Sequence, residues 1–203
     1  CLMSVSASAA EYSHPICGAS HENIGDHTNE CKSVPWAAWD GTSEITYDSN
    51  NTACVYLSDN ATPSSTLTVT DGKTLNLCLN GMTLSRSSTV IEVTGGATLN
   101  LCDCQGGGEI TSSSTSNCVV SVKTVNDSNV DTTLNLYGGT ISGSMYNGLY
   151  DKGIIKLSNN DANNSETVAV FNMYGGGVNN NTGSGDAVDV NYANVGTGYY
   201  NIN

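Results

Sequence analysis

The sequence predicts an all-β chain whose short strands stack as the coils of a parallel β-helix, with a small Cys/His-rich cap at the N-terminus. Three observations predict it. First, of 203 residues only 12% are charged and 6% aromatic, while Ser, Thr and Asn supply roughly a third. That mix lacks the Ala, Glu, Lys, Leu and Arg of a long-helix protein. Second, apolar residues alternate with polar ones at period two, the pattern of a half-buried strand. Third, one segment recurs. Leu67 to Leu79 reads LTVTDGKTLNLCL, and Ile91 to Asp103 reads IEVTGGATLNLCD. Self-similarity at a fixed interval marks stacked units, each too small to bury its own core.

The elements follow in chain order. Residues 1–10, CLMSVSASAA, are expected to be the remnant of a secretory signal peptide. Leu2, Met3 and Val5 close an apolar stretch, and Ala7, Ala9 and Ala10 offer small residues for cleavage. A lipidated Cys1 is the other reading of this end.

Residues 11–45 form the expected cap. His14, Cys17, His21, His27 and Cys31 place five N or S donors within a short span. Four such donors suffice for a structural zinc. The preferred reading is a Cys17–Cys31 disulfide, which an exported chain permits. Either device closes a cap over the open edge of the first coil. Trp36 and Trp39 then pack on that coil, or else form an aromatic platform for sugar.

Residues 46–203 are read as coils, expected to continue beyond residue 203. The first core residues of successive units are Leu75, Leu99, Leu134 and Phe171, at intervals of 24, 35 and 37 residues. A propeller blade repeats at about 40–50 residues, which the shortest interval contradicts; sandwich strands rarely repeat so closely. In a stack these four residues form one internal ladder, and Leu77, Leu101, Leu136 and Met173 form a second. Asn76, Asn100, Asn135 and Asn172 then line up pointing outward, and they are the candidate ligand-facing residues. Asp-Gly and Gly-Gly pairs after the strands permit the positive φ of a corner. The longer units place their extra residues at 124–132 and 158–167.

Cys78 and Cys102 occupy the same repeat position, either as a disulfide or as a ladder of buried thiols; the thiol ladder is favoured. Cys102 and Cys104 are too far apart on an ideal strand for easy mutual pairing. Cys104 with Cys118 stays open.

The formal net charge is −13, with Lys and Arg together only six. Such a chain cannot build the basic face that nucleic acid or an anionic membrane requires. No apolar run approaches the ~18 residues of a membrane helix. The single arginine, Arg86, lies in Ser85-Arg86-Ser87-Ser88. Asp71 aligns with Gly95 and Asp103 with Leu79, so neither provides the carboxylate pair of a glycosidase. No catalytic residue is assigned. Asp127, Asp131, Asp161 and Asp186 offer oxygen donors for calcium, though at no calcium-repeat spacing.

The segments TLNLCLNGMTL and TLNLCDCQGGG resemble exported right-handed parallel β-helix proteins of gut Firmicutes, in the pectin-lyase-like superfamily. The later units, Leu134 to Gly143 and Phe171 to Val178, are similar to coil repeats of those proteins. The HPICGASHENIGDHTNE segment with Trp36-Ala37-Ala38-Trp39 is similar to their Cys/His-rich head. The resemblance covers nearly the whole chain and implies a right-handed coil and a secreted or cell-surface location. It further implies an adhesin-like or glycan-facing, non-catalytic role, with glycans or a host surface as partners. The alternative is a polysaccharide lyase or glycoside hydrolase whose catalytic coils lie mostly beyond residue 203.

Overall fold

The computed structural model of the protein describes residues 12–13, 16, 20–21, 36–125, 130–143, 153–159, 167–180, 186–192 and 200–202. The strands are β1 (Tyr12–Ser13), β2 (Ser20–His21), β3 (Ala37–Trp39), β4 (Thr52–Leu57), β5 (Leu67–Val69) and β6 (Thr74–Cys78). Then come β7 (Thr83–Arg86), β8 (Ile91–Thr94), β9 (Thr98–Cys102), β10 (Glu109–Ser112), β11 (Val120–Lys123) and β12 (Thr132–Leu136). The last are β13 (Thr140–Gly143), β14 (Gly153–Asn159), β15 (Ala169–Met173), β16 (Gly177–Asn180), β17 (Asp186–Tyr192) and β18 (Tyr200–Ile202). Among the described residues there is no helix.

Apart from the antiparallel pair β1–β2, every strand joins one of three parallel sheets. Sheet I runs β3-β4-β6-β9-β12-β15-β18, sheet II runs β7-β10-β13-β16, and sheet III runs β5-β8-β11-β14-β17. From β6 onward the chain visits the sheets in fixed rotation, I to II to III and back to I. Each visit adds one strand beside the previous one, so one turn makes one rung. In the first turn Ala61 stands in for a sheet II strand through a parallel bridge to Leu84. β3 already belongs to sheet I, within the segment read as cap. The all-β expectation is met, with repeats stacked in parallel rather than paired as hairpins.

The register is that of the repeat. Leu75 pairs with Leu99, Leu99 with Leu134, and Leu134 with Phe171. All four are buried, as are Leu77, Leu101 and Leu136. Sheet II contributes Leu84, Ile110 and Ile141 to the same core, and sheet III contributes Ile91, Val93, Val120, Val122, Ile155 and Leu157. The core is thus a column of aliphatic layers between three sheets, and adjacent rungs supply its continuity. The alternation of each strand dictates this, because a one-residue slip would turn every leucine out to solvent.

Two devices turn the corners. At Asp71-Gly72 and the equivalent Gly95-Gly96 all four φ angles lie between 59° and 73°. Aspartate tolerates this left-handed conformation better than most residues, which lets the corner begin on a non-glycine. Asp103 serves the next corner, where its Oδ1 accepts from the Gly81 N–H and its Oδ2 from the Gly108 N–H, both at 2.7 Å. Read as a residue without a carboxylate partner, Asp103 is a staple between two rungs. Extra residues enter between β11 and β12 and between β14 and β15, as expected, and also between β13 and β14.

Candidate functional site

Sheet I presents the most organised outer face. Along β6 and β9, Leu75, Leu77, Leu99 and Leu101 enter the main core, so Asn76, Cys78, Asn100 and Cys102 turn the other way. Two columns result.

The first column is the asparagine ladder. Asn172 Nδ2 donates to Asn135 Oδ1 at 2.8 Å, Asn135 Nδ2 to Asn100 Oδ1 at 2.8 Å, and Asn100 Nδ2 to Asn76 Oδ1 at 2.7 Å. Asn76 Nδ2 ends the run on Cys54 Sγ at 3.0 Å. The four residues are aligned as the repeat requires. Each amide joins its neighbour along the stack, and Asn76 is buried, only 7% exposed.

The second column holds Tyr56, Cys78 and Cys102, with Tyr137 and Tyr174 continuing it past the strand ends. The two tyrosine rings stack at 4.9 Å between centroids and 13° between planes, and Tyr174 is exposed. At the other end the column is covered. Cys54, Cys78, Cys102, Cys104 and Trp36 form a buried cluster of their own, flanked by Ile16, Tyr56 and Tyr137. This second core lies outside sheet I.

Within it, the Sγ atoms of Cys78, Cys102 and Cys104 all lie within 4.8 Å of one another. β9 ends at Cys102, and the chain then turns, with the Asp103 staple fixing that turn. Cys104 therefore reaches the same sulfur cluster as Cys102, and the spacing of alternate residues on an ideal strand does not apply to it. Cys118 lies elsewhere, 3.8 Å from Thr89 Oγ1. The hydrogen bond with Cys102 pulls the Cys78 thiol down, but Cys104, through its hydrogen bond and charge, and burial outweigh it and hold the thiol well above the usual range. Burial, then hydrogen bonds to Cys104 and Cys78, raise Cys102 in the same direction. Cys78 and Cys102 therefore carry their protons at neutral pH. Its sulfur donors are the ones that bind soft cations.

The N-terminal donors are placed only in part. His21 ends β2, whose backbone pairs with Tyr12. His14, Cys17, His27 and Cys31 lie outside the described residues, and so does the expected Cys17–Cys31 bridge. Trp36 and Trp39 are both buried, 4% exposed, Trp36 on the cysteine cluster and Trp39 in the main core. They pack on the stack rather than form an open platform.

Elsewhere, several charged groups among the described residues are engaged. Arg86 donates to Thr66 Oγ1 and the Thr89 carbonyl, both at 2.7 Å, and to the Ser64 carbonyl at 3.1 Å. It ties a loop to the stack. Lys123 pairs with Glu92 at 2.9 Å across neighbouring sheet III strands. Asp131, a calcium candidate, accepts from the Val168 N–H at 2.9 Å. Sheet II carries hydroxyls rung to rung, with Thr62 Oγ1 to Ser85 Oγ at 3.0 Å and Ser142 Oγ to Thr111 Oγ1 at 2.8 Å.

No protein-family model matches the chain, and comparisons with curated proteins and with solved structures give no significant match.

Proposed function

We propose that the chain is a right-handed parallel β-helix of an exported protein, acting as a non-catalytic scaffold that offers its polar faces to glycans or a host surface. The fixed rotation through three parallel sheets supports the coil, and the strong bias of parallel crossovers supports its hand. The resemblance to pectin-lyase-like surface proteins rests on the repeat residues quoted above.

One observation carries the non-catalytic reading. Among the described residues, the asparagines of sheet I and Asp103 bond along the stack, rung to rung, instead of converging on a point. Asn100, Asn135, Asp103 and Arg86 all serve neighbouring rungs or loops. Acid–base catalysis needs groups aimed at one reacting atom. A column of hydroxyls and amides repeated at each rung instead suits a polymer with repeating hydroxyls. Tyr174 adds an exposed ring on which sugar can pack.

The test is a panel of polysaccharides and host matrices run on the purified chain, scoring retention and new reducing or unsaturated ends together. Retention without cleavage is expected. Cleavage would overturn the scaffold reading, and failure to retain on any member would overturn its glycan-facing part.

A further inference from the structure

We propose that Cys78, Cys102 and Cys104 form a structural site for a soft divalent cation, zinc above all, beside Trp36 and Ile16. The sulfur separation, at most 4.8 Å, is close to what one metal needs. With Zn–S bonds of ~2.3 Å, three sulfurs around one zinc stand about 3.8 Å apart. Closing the gap takes shifts under about 1 Å, within rotamer adjustment of three short side chains. The site is dry, since Cys78, Cys102 and Cys104 are 0%, 0% and 3% exposed.

Charge decides between the soft cations. Three thiols release three protons on binding one ion, as metal binding to protonated ligands requires. A divalent ion leaves a net charge of minus one in a buried cluster, whereas monovalent copper leaves minus two. Burying the larger charge costs more. Trp36 belongs to the cluster and Ile16 packs against it, so an ion here would join these two residues to the second and third rungs. This site lies on thiols of the stack and is separate from the N-terminal set, of which His14, Cys17, His27 and Cys31 lie outside the described residues.

The test loads the full chain, purified under reducing conditions, with cobalt as a spectroscopic stand-in and with zinc. One equivalent should bind, with thiolate-to-metal charge transfer, release of three protons and a higher Tm. Cys78→Ser, Cys102→Ser and Cys104→Ser should each weaken binding by at least about 100-fold, more than a typical outer-shell change. A chain with His14, His21 and His27 replaced by Ala, and Cys17 and Cys31 by Ser, should keep the charge-transfer band. Should the serine variants fold poorly, cadmium NMR on the unaltered chain reads the sulfur donors directly. Absence of stoichiometric binding, or a signal that survives loss of all three cysteines, would overturn the proposal. So would a Cys78–Cys102 disulfide found by peptide mapping of the chain purified without reductant.

Discussion

Asn100 sits in the middle of a run of amides, donating to Asn76 and accepting from Asn135. Asn172 makes only one described bond of that run, to Asn135. The two positions differ in what their removal leaves behind. Asn100→Ala strands an acceptor on Asn76, which is buried, and a donor on Asn135, which is half-buried. A stranded buried polar group costs about 1–3 kcal/mol. Asn100→Ala should therefore lower stability by about 2–3 kcal/mol and Asn172→Ala by about 1 kcal/mol or less, read from urea midpoints. Equal effects would mean that the ladder bonds contribute nothing beyond their exposure. The alignment of these residues was legible from the repeat, because a recurring apolar–Asn–apolar core with period-two alternation leaves only one register. Their mutual bonding was not. A sequence places a side chain on a face, but does not say whether its partner is a ligand, water or the same residue one rung away.

The strands themselves were the most legible elements, and β9 illustrates why. Leu99 and Leu101 alternate with Asn100 and Cys102, and the burial follows that alternation without exception on the core side. Leu101→Asp places a carboxylate between aliphatic layers with no group to pair it. The expected loss is at least about 4 kcal/mol, among the largest single-site effects. Far-ultraviolet circular dichroism would show it as a collapse of the β signal well below the parent Tm. A variant melting with the parent would show that the inward assignment of β9 is wrong. The corner after β9 was much less legible. Alternation ends at Cys102, so no period places Asp103 or Cys104. The CDCQGGG run signals that the chain turns a corner, but the direction of the turn is fixed by the Asp103 hydrogen bonds to Gly81 and Gly108, which lie in different rungs. For the same reason the third sulfur of the cluster could not be read from spacing.

At the scale of the molecule, each rung touches only its neighbours, so stability should behave as a sum of rung and interface terms. Deleting 75–98 tests this. The cut removes 24 residues and joins Thr74 to Leu99, which occupies the repeat position of Leu75. The new neighbours are of the old kinds. In sheet I, Ala53, Cys54 and Val55 would face Leu99, Asn100 and Leu101 in place of Leu75, Asn76 and Leu77. In sheet III, β5 would meet Val120 and Val122 in place of Ile91 and Val93. The shortened chain should fold, with a β spectrum and one cooperative transition at a lower Tm, measured with chelator present because Cys78 is gone. Deleting only 75–86 removes the sheet I and sheet II strands of that rung and leaves its sheet III strand. The rotation is then broken, and this chain should not give a cooperative transition. If both deletions behave alike, the rungs are not interchangeable units, and the uneven intervals of 24, 35 and 37 residues reflect separately specialised layers. If only the whole-rung deletion folds, the variable corner lengths are tolerated because the register is held by the strand pairs alone.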